Sequence, residues 1–404
     1  MKNIIFVLFL LITISCKQVH TPENKIKEDV AFLADDKLEG RQTGTPGELK
    51  AAEYIKNRFK ELGLTAKGSK GFYQDFTFKP KTNPHEEVRF TENADGTITG
   101  RNVVGFLDNK AKNTVIVGAH FDHLGYGGDG SLHRGEKSIH NGADDNASGV
   151  AVMLNLISKL KEKNTNNNYL FMAFSGEEMG LLGSNYFVKN PTIDTKAVSY
   201  MINMDMVGRL KDSALAVYGT GTSPIFKQTL KSHNNNFKLI QKESGVGPSD
   251  HTSFYLADIP VLHFFTGQHS DYHKPGDDSE KLNYEGMEII STYIFNIISD
   301  LNDNGKLAFR KTKSEREQVR FKVGLGVIPD YMFDGKGMRV DGVSEDKPAI
   351  KAGIKKGDIV IQLGDKKVTD MMSYMKALSV FKAGDKTTVI VTRNGKEVKA
   401  DIQF

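Results

Sequence analysis

Cysteine is nearly absent from this chain of 404 residues, which has a single one, at position 16. One cysteine can form no internal disulfide, so a large hydrophobic core must stabilise the protein. A charge excess of one sign is also missing, because 54 basic and 50 acidic side chains leave a net charge of +4. This near balance excludes the electrostatic footprint of a nucleic-acid-binding protein. The apolar content of 39% is that of a soluble globular protein, and the length predicts two domains.

The first residues differ in composition from the rest. The apolar run from Ile4 to Ile14 is too short to cross a bilayer as a mature helix, and it follows Lys2, as in a signal peptide. Its end, Thr-Ile-Ser-Cys16, resembles a bacterial lipobox, which implies cleavage before Cys16 and lipidation of that residue. We therefore expect a signal peptide over 1–16, a tether over 17–26, and a membrane lipoprotein of the cell envelope that faces the periplasm. An uncleaved anchor is the alternative.

Apolar segments of strand and helix type alternate along the next 275 or so residues, a domain-sized length. Helical spacing is seen over 48–64 and 147–160, and buried strands are predicted at 114–119, 169–174, 198–204 and 259–265. Such alternation predicts an α/β fold, with a mixed, mostly parallel central sheet between layers of helices. Ligands of these sheets bind beyond the carboxyl ends of the strands.

Side chains that bind metals or transfer protons follow the predicted strands. They are His120 and Asp122, then Asp144 with Asp145, then Glu177 with Glu178, then Asp205, and last His273. A zinc-bound histidine usually donates its second N–H to a carboxylate, and Asp122 is placed to accept it. Of two adjacent glutamates, one can bind metal while the other acts as a base. Asp145 or Asn146 is also suited to cap the following helix.

The order H-x-D, G-A-D-D-N-A-S-G, G-E-E-x-G-L-x-G-S, N-x-D-M-V-G and Y-H-x-x-x-D resembles the zinc aminopeptidases of the bacterial leucyl aminopeptidase and aminopeptidase Y type. The segments Leu38–Arg41 and Thr43–Gly47 are also similar to that family. The resemblance implies a peptidase domain over 27–301, two zinc ions, and peptide substrates with a free N-terminus.

The same resemblance implies a role for each site residue. His120 and Asp205 would complete one zinc site, Glu178 and His273 the other, and Asp144 would bridge them. Asp122 would orient His120, Glu177 would be the general base, and Tyr272 would stabilise the tetrahedral intermediate. A cis peptide would join Asp144 to Asp145. His133 and His140, in the loop after the first motif, are expected to be solvated and are not counted as ligands.

The C-terminal part, 321–404, resembles a PDZ domain through the run Ala352-Gly353-Ile354-Lys355-Lys356-Gly357-Asp358-Ile359-Val360. The resemblance implies a groove for the C-terminus of a peptide, with Gly324, Leu325 and Gly326 as the carboxylate-binding loop. The charged stretch 302–320 is predicted to be a linker.

Three other interpretations remain open. A glutaminyl cyclase-like enzyme would use one zinc ion on a similar scaffold. A dizinc carboxypeptidase would have another motif order and an inserted dimerisation domain. A non-catalytic, PDZ-bearing envelope scaffold would lack ligands or the base.

Overall fold

The computed structural model describes residues 22–80, 89–92, 94–128, 130–161, 163–312, 323–330, 333, 335–343 and 347–404. The predicted signal peptide, residues 17–21 of the predicted tether and residues 313–322 of the linker region lie outside these ranges, whereas residues 22–26 of that tether begin the first helix. The helices of the larger domain are α1 Pro22–Leu33, α2 Pro46–Glu61, α3 Gly149–Leu160, α4 Leu182–Lys189, α5 Phe226–Ser232, α6 His251–Tyr255 and α7 Tyr284–Asp300. Within the described ranges, no helix has the length and apolar character needed to span a membrane.

The larger domain is built on one ten-stranded sheet. Its strands are β1 Thr65–Ala66, β2 Tyr73–Lys79, β3 Arg89–Phe90, β4 Ile98–Leu107, β5 Asn113–His120, β6 Asn167–Phe174, β7 Val198–Met204, β8 Ala214–Tyr218, β9 Lys238–Gln241 and β10 Val261–Phe265. They lie in the order β3-β2-β4-β6-β5-β7-β10-β8-β9, and β1 pairs with β4. The four central strands β6, β5, β7 and β10 are parallel, while β4 and β8 join them in the antiparallel direction.

The predicted α/β architecture is confirmed. The strands predicted at 114–119, 169–174, 198–204 and 259–265 are the four parallel ones. Alternate residues of β5 pack on opposite faces: Val115 and Val117 belong to the core cluster that includes α3 and α7, whereas Ile116 belongs to the cluster on the other face. Because both faces are buried, these strands are apolar throughout rather than alternating. Their carboxyl ends lie side by side.

Helix α2 shows how the local sequence sets an element. Thr45 has extended backbone angles and its hydroxyl accepts the N–H of Glu48, while Pro46 occupies the first turn, where it costs no hydrogen bond. Ala51, Ala52 and other apolar residues of one side are buried against the sheet.

The C-terminal domain is a six-stranded antiparallel sheet with two short helices. Its elements are β11 Val327–Pro329, β12 Met338–Val343, α8 Pro348–Lys351, β13 Ile359–Leu363, β14 Lys366–Lys367, α9 Met371–Ser379, β15 Lys386–Arg393 and β16 Lys396–Gln403. The sheet order is β11-β12-β13-β15-β16, with β14 paired to β13. Asp370 caps α9 by accepting the N–H of Ser373. The domain has its own core, which includes Leu325, Val360 and Val389.

The first part of the predicted linker packs on the larger domain. Leu307 is buried, the hydroxyl of Ser199 donates to the carbonyl of Gly305 at 2.9 Å, and the N–H of Arg310 donates to the carbonyl of Thr222 at 2.8 Å. Its polar composition did not suggest these contacts, because backbone groups make most of them.

Candidate metal centre

Two histidines approach one carboxylate at the carboxyl ends of the central strands. His120 ends β5, and its Nε2 lies 3.2 Å from Oδ1 of Asp145 and 3.3 Å from Oδ1 of Asp205, which follows β7. The other oxygen of Asp145, Oδ2, lies 3.2 Å from Nε2 of His273. That histidine is also 3.3 Å from Oε2 of Glu178, beyond β6. Asp145 therefore lies between two separate groups of ligand type.

The sequence-based choice of Asp144 for the bridging position needs correction. Oδ1 of Asp144 accepts the N–H of Gly208 at 2.6 Å and the hydroxyl of Ser148 at 3.1 Å, and its Oδ2 lies 3.2 Å from His269 Nε2. This carboxylate thus points away from both groups, and Asp145 occupies the position between them. The two residues follow each other in an irregular turn, so their side chains point in different directions. The cis peptide lies between Asp145 and Asn146 rather than between Asp144 and Asp145.

The turn that carries Asp145 is held by Asp277. Its Oδ2 accepts the backbone N–H groups of Asp144 at 2.9 Å and of Asp145 at 3.0 Å. Burial, with the neighbouring charge of Asp144, raises the pKa of Asp277 to about 6.

The side chain of Arg41 links several backbone segments next to the candidate metal centre. Its guanidinium is completely buried and donates to the carbonyls of Leu33 at 2.5 Å, Phe121 at 2.7 Å, Asn141 at 2.6 Å and Gly142 at 3.0 Å. Phe121 follows His120, and Gly142 leads into the turn of Asp145, so one side chain links both. Burial lowers the pKa of Arg41 to about 10, although the negative charges of nearby carboxylates act to raise it.

Asp122 lies behind His120, but its carboxylate does not make the hydrogen bond to the imidazole ring that the sequence suggested. Its carboxylate is 3.7 Å from Nδ1 of His120, while its backbone carbonyl is closer, at 3.2 Å from that nitrogen. The carboxylate also accepts the hydroxyl of Thr43 at 3.0 Å and the N–H of Glu177 at 3.2 Å. Asp122 therefore connects β5 to the loop that carries both glutamates.

Glu177 and Tyr272 face a small pocket over these groups. Oε2 of Glu177 is 4.0 Å from His120 Nε2, and burial, aided by the charges of Asp205 and Glu178, raises the pKa of Glu177 well above its usual range. Tyr272 stacks on His273, with ring centroids 3.9 Å apart. The pocket has a volume of about 80 Å³, and its remaining lining includes Met206, Tyr218, Pro248, His263, Phe265 and Gln268.

The donor set fits metal ions. Two groups of three side chains each offer ligand atoms that lie within 4.8 Å of one another inside the group. One group is His120, Glu177 and Asp205, and the other is His123, Asp145 and Glu178. Nδ1 of His123 is 2.7 Å from Oε1 of Glu178, yet both atoms are buried without a hydrogen-bond partner in the described structure. Buried carboxylates at such separations repel one another unless a cation lies among them. Imidazole and carboxylate donors suit zinc.

The sequence profile of peptidase family M28 matches residues 102–298, and that of the PDZ domain matches 307–404. The chain carries an M28 peptidase domain followed by a PDZ domain. All the side chains of the candidate metal centre lie in the matched M28 region.

The M28 domain is similar to several named proteins. The alkaline phosphatase isozyme conversion protein of Escherichia coli is 31% identical over 41% of this chain and 46% of its own length. A probable leucine aminopeptidase of Arthroderma benhamiae is 34% identical over 39% of this chain and 43% of its own. The chain thus spans a little under half the length of these curated relatives.

Two solved structures share the fold at low sequence identity. A Zn-dependent exopeptidase from Parabacteroides distasonis superposes with a TM-score of 0.56 at 18% identity, covering 69% of this chain and 98% of that one. A glutaminyl cyclase from Bacteroides thetaiotaomicron gives 0.56 at 16% identity, covering 69% and 97%.

For three residues near the candidate metal centre, the sequence alone indicated no role. His123 was visible as the second histidine of H-x-D-H, but only the structure places it beside Glu178. Arg41 was noted only as part of a similar segment. Asp250 is buried, and burial raises its pKa to about 7. It precedes the short helix α6, and no motif drew attention to it.

The other predicted residues lie away from this centre. His140 is buried rather than solvated, with Nε2 2.7 Å from the Ser131 hydroxyl, so that expectation was wrong. His133 neighbours it, outside the metal centre. Gly324, Leu325 and Gly326 precede β11 of the PDZ domain, where the carbonyl of Leu325 accepts the N–H of Ala349 at 2.8 Å. Cys16 lies outside the described residues.

Proposed function

We propose that the protein is a dizinc aminopeptidase that removes N-terminal residues from peptides. The observation that carries the proposal is the position of Asp145, whose two oxygens each lie 3.2 Å from Nε2 of a different histidine. Asp145 would be the carboxylate shared by the two sites. His120 and Asp205 would hold one ion, and Glu178 and His273 would hold the other. The names of the curated relatives support an aminopeptidase.

The residues of the chain divide the chemical work. A pair of zinc ions, when bound, polarises a scissile carbonyl and lowers the pKa of water. Glu177 accepts the proton of the attacking water on its carboxylate and passes it to the leaving amine. Burial raises the pKa of Glu177 and so favours proton uptake, because it disfavours the charged form. Asp122 fixes the ring of His120, and Tyr272 is placed on the pocket wall to donate to the oxygen of the tetrahedral intermediate.

The pocket supports cleavage at a chain end. Its volume of about 80 Å³ suits one side chain better than a peptide segment, and four carboxylates contribute to its lining. Met206, Phe265 and Tyr218 add apolar and aromatic surface beside these polar groups. We therefore propose that the N-terminal residue of the substrate is apolar and enters with its free amine towards the carboxylates.

The test compares Glu177→Gln with Glu280→Gln, a substitution at an exposed glutamate outside the site. We expect the zinc-loaded wild type to release the chromophore from leucyl-anilide, and chelation to stop it. Glu177→Gln should lose about 10²–10⁴-fold in kcat, the usual contribution of a general base, with two zinc ions per chain still bound. Glu280→Gln should match the wild type. Loss of one zinc ion in Glu177→Gln would mean that the roles of Glu177 and Glu178 are exchanged.

The shared fold of a glutaminyl cyclase makes that activity the second candidate. A cyclase of this kind would hold one zinc ion and release ammonia from N-terminal glutamine. Zinc content by elemental analysis, with mass spectrometry of products from Gln- and Leu-initiated peptides, separates the two. One zinc ion and a cyclised product would contradict the aminopeptidase proposal. A protein that binds zinc and peptides without changing either substrate would instead be a scaffold.

A further inference from the structure

A second, larger cavity begins at the wall of the candidate active-site pocket. Tyr218 and Pro248 line both, so the two spaces are adjacent at these residues. The second cavity is a cleft between the M28 and PDZ domains with a volume of about 820 Å³, which is within the range of sites that bind ligands. This cavity is the interdomain cleft.

Both domains contribute to the interdomain cleft. The M28 side supplies the loop after β9, including Val246, and the PDZ side supplies Phe333, Met371 and Met375. Nζ of Lys242 donates to the carbonyl of Phe333 at 2.8 Å, which joins the two walls. Arg339 pairs with Asp330 at 2.6 Å and lies over the Phe333 ring at 4.8 Å, so this wall is ordered by its own contacts. Partly exposed methionine side chains suit varied apolar partners.

The direction of strand β11 in the PDZ domain suits a peptide that is cleaved at its N-terminus. Strand β11 is an edge strand, with β12 as its single partner strand among the described residues. β11 ends at Pro329, next to Asp330 in the interdomain cleft, and begins just after Gly326. A peptide added antiparallel to β11 would therefore have its N-terminal end at the cleft and its C-terminal end towards Gly326. That order leads the N-terminus towards the metal centre.

We propose that the interdomain cleft binds the residues that follow the scissile bond in peptide substrates, and that the peptide continues along β11 in the antiparallel direction. The proposal rests on the proposed aminopeptidase function. A dipeptide occupies only the pocket, whereas a longer peptide also buries apolar side chains against Val246, Met371 and Met375. Substrate length is then recognised through contacts that both domains supply.

The test is the ratio of kcat/KM for an octapeptide to that for a dipeptide with the same N-terminal leucine. We expect this ratio to be about tenfold or more in the wild type, mainly through a lower KM, since two or three buried methylene-rich contacts give that much binding energy. Met375→Glu places a charge in the cleft, and the ratio should fall towards one. Val380→Glu, at the exposed residue that follows the last turn of α9, is the matched control outside the cleft and should keep the wild-type ratio.

A second measurement does not depend on these variants. An octapeptide with a photoreactive residue at its fifth position is cross-linked to full-length Glu177→Gln, which is expected not to degrade it. Peptide mapping should find the label within 330–339 or 369–375. A wild-type ratio near one, an unchanged ratio in Met375→Glu, or label confined to the M28 domain would overturn the proposal while leaving dipeptide hydrolysis intact. Absence of dipeptide hydrolysis in the zinc-loaded wild type would instead overturn the proposed function.

Discussion

Replacement of Arg41 by methionine should weaken the protein at the base of the metal centre. The substitution keeps an unbranched side chain of similar length but removes all the donors. Four buried or part-buried carbonyls, those of Leu33, Phe121, Asn141 and Gly142, then lose their partner. A buried group left without a hydrogen bond costs about 1–3 kcal/mol. The substitution also removes the free-energy cost of burying a charged guanidinium, and this offsets part of the loss in stability.

The net loss expected for Arg41→Met is about 3–5 kcal/mol, the usual cost of removing one partner from a buried charged network. For a domain of this size, such a loss lowers the melting temperature by roughly 6–15 °C. Arg41→Lys keeps the charge but has three donors on one nitrogen, so it should lie between the wild type and Arg41→Met. Arg89→Met, at an exposed position on β3, is the control.

Thermal unfolding followed by circular dichroism, with zinc and with chelator, measures the effect. Because Arg41 connects the backbone after His120 to that before Asp145, Arg41→Met should also bind zinc more weakly than the wild type in a competition assay with a chromogenic chelator. A melting temperature within about 2 °C of Arg89→Met, well below the expected shift, would refute the argument.

Three further predictions concern single residues. Asp145→Asn should lose bound zinc and at least about 10²-fold in activity, while Asp144→Asn should keep its zinc, as measured by elemental analysis, and the reverse pattern would restore Asp144 as the bridge. Burial raises the pKa of Glu48 to about 7, above its value in the unfolded chain, so its contribution to stability is present at low pH and is lost as pH rises through 7. In urea unfolding of the zinc-loaded protein, Glu48→Gln should therefore gain about 2–3 kcal/mol relative to the wild type between pH 5 and pH 8, and parallel pH profiles would contradict this. Cys16→Ser should release active protein from the membrane fraction, whereas retention with an uncleaved N-terminus would favour a plain anchor.

The strands and the motifs were predictable because both depend on local sequence. β7 lies at 198–204, as its apolar run predicted, and the residues after it are found at the edge of the sheet where parallel strands bring them. The choice between Asp144 and Asp145 was not predictable, since either carboxylate could bridge. It depends on the backbone of an irregular turn. Asp277, which is 132 residues further along the chain than Asp145, holds that turn by accepting its backbone N–H.

Long-range contacts explain the other differences from the sequence-based expectations. Arg41 is charged, and charged residues are usually exposed. Its burial depends on four carbonyls from three separate segments, two of which are 80 or more residues away along the chain. His140 was expected in solvent because its loop is polar, but Ser131 and Ser138 satisfy both ring nitrogens and allow it to be buried.

The candidate ligands are spread from His120 to His273, and each follows a different strand or loop of one sheet. In small zinc domains the metal supplies much of the folding free energy, because few other contacts exist. Here the apolar core on both faces of the sheet forms without any ligand residue, so the metal is captured by a chain that has already folded. Demetallation should thus leave the far-ultraviolet circular dichroism spectrum nearly unchanged and make inactivation reversible. A chain that folds in this order can be stored without zinc and gain its activity later, when the metal becomes available.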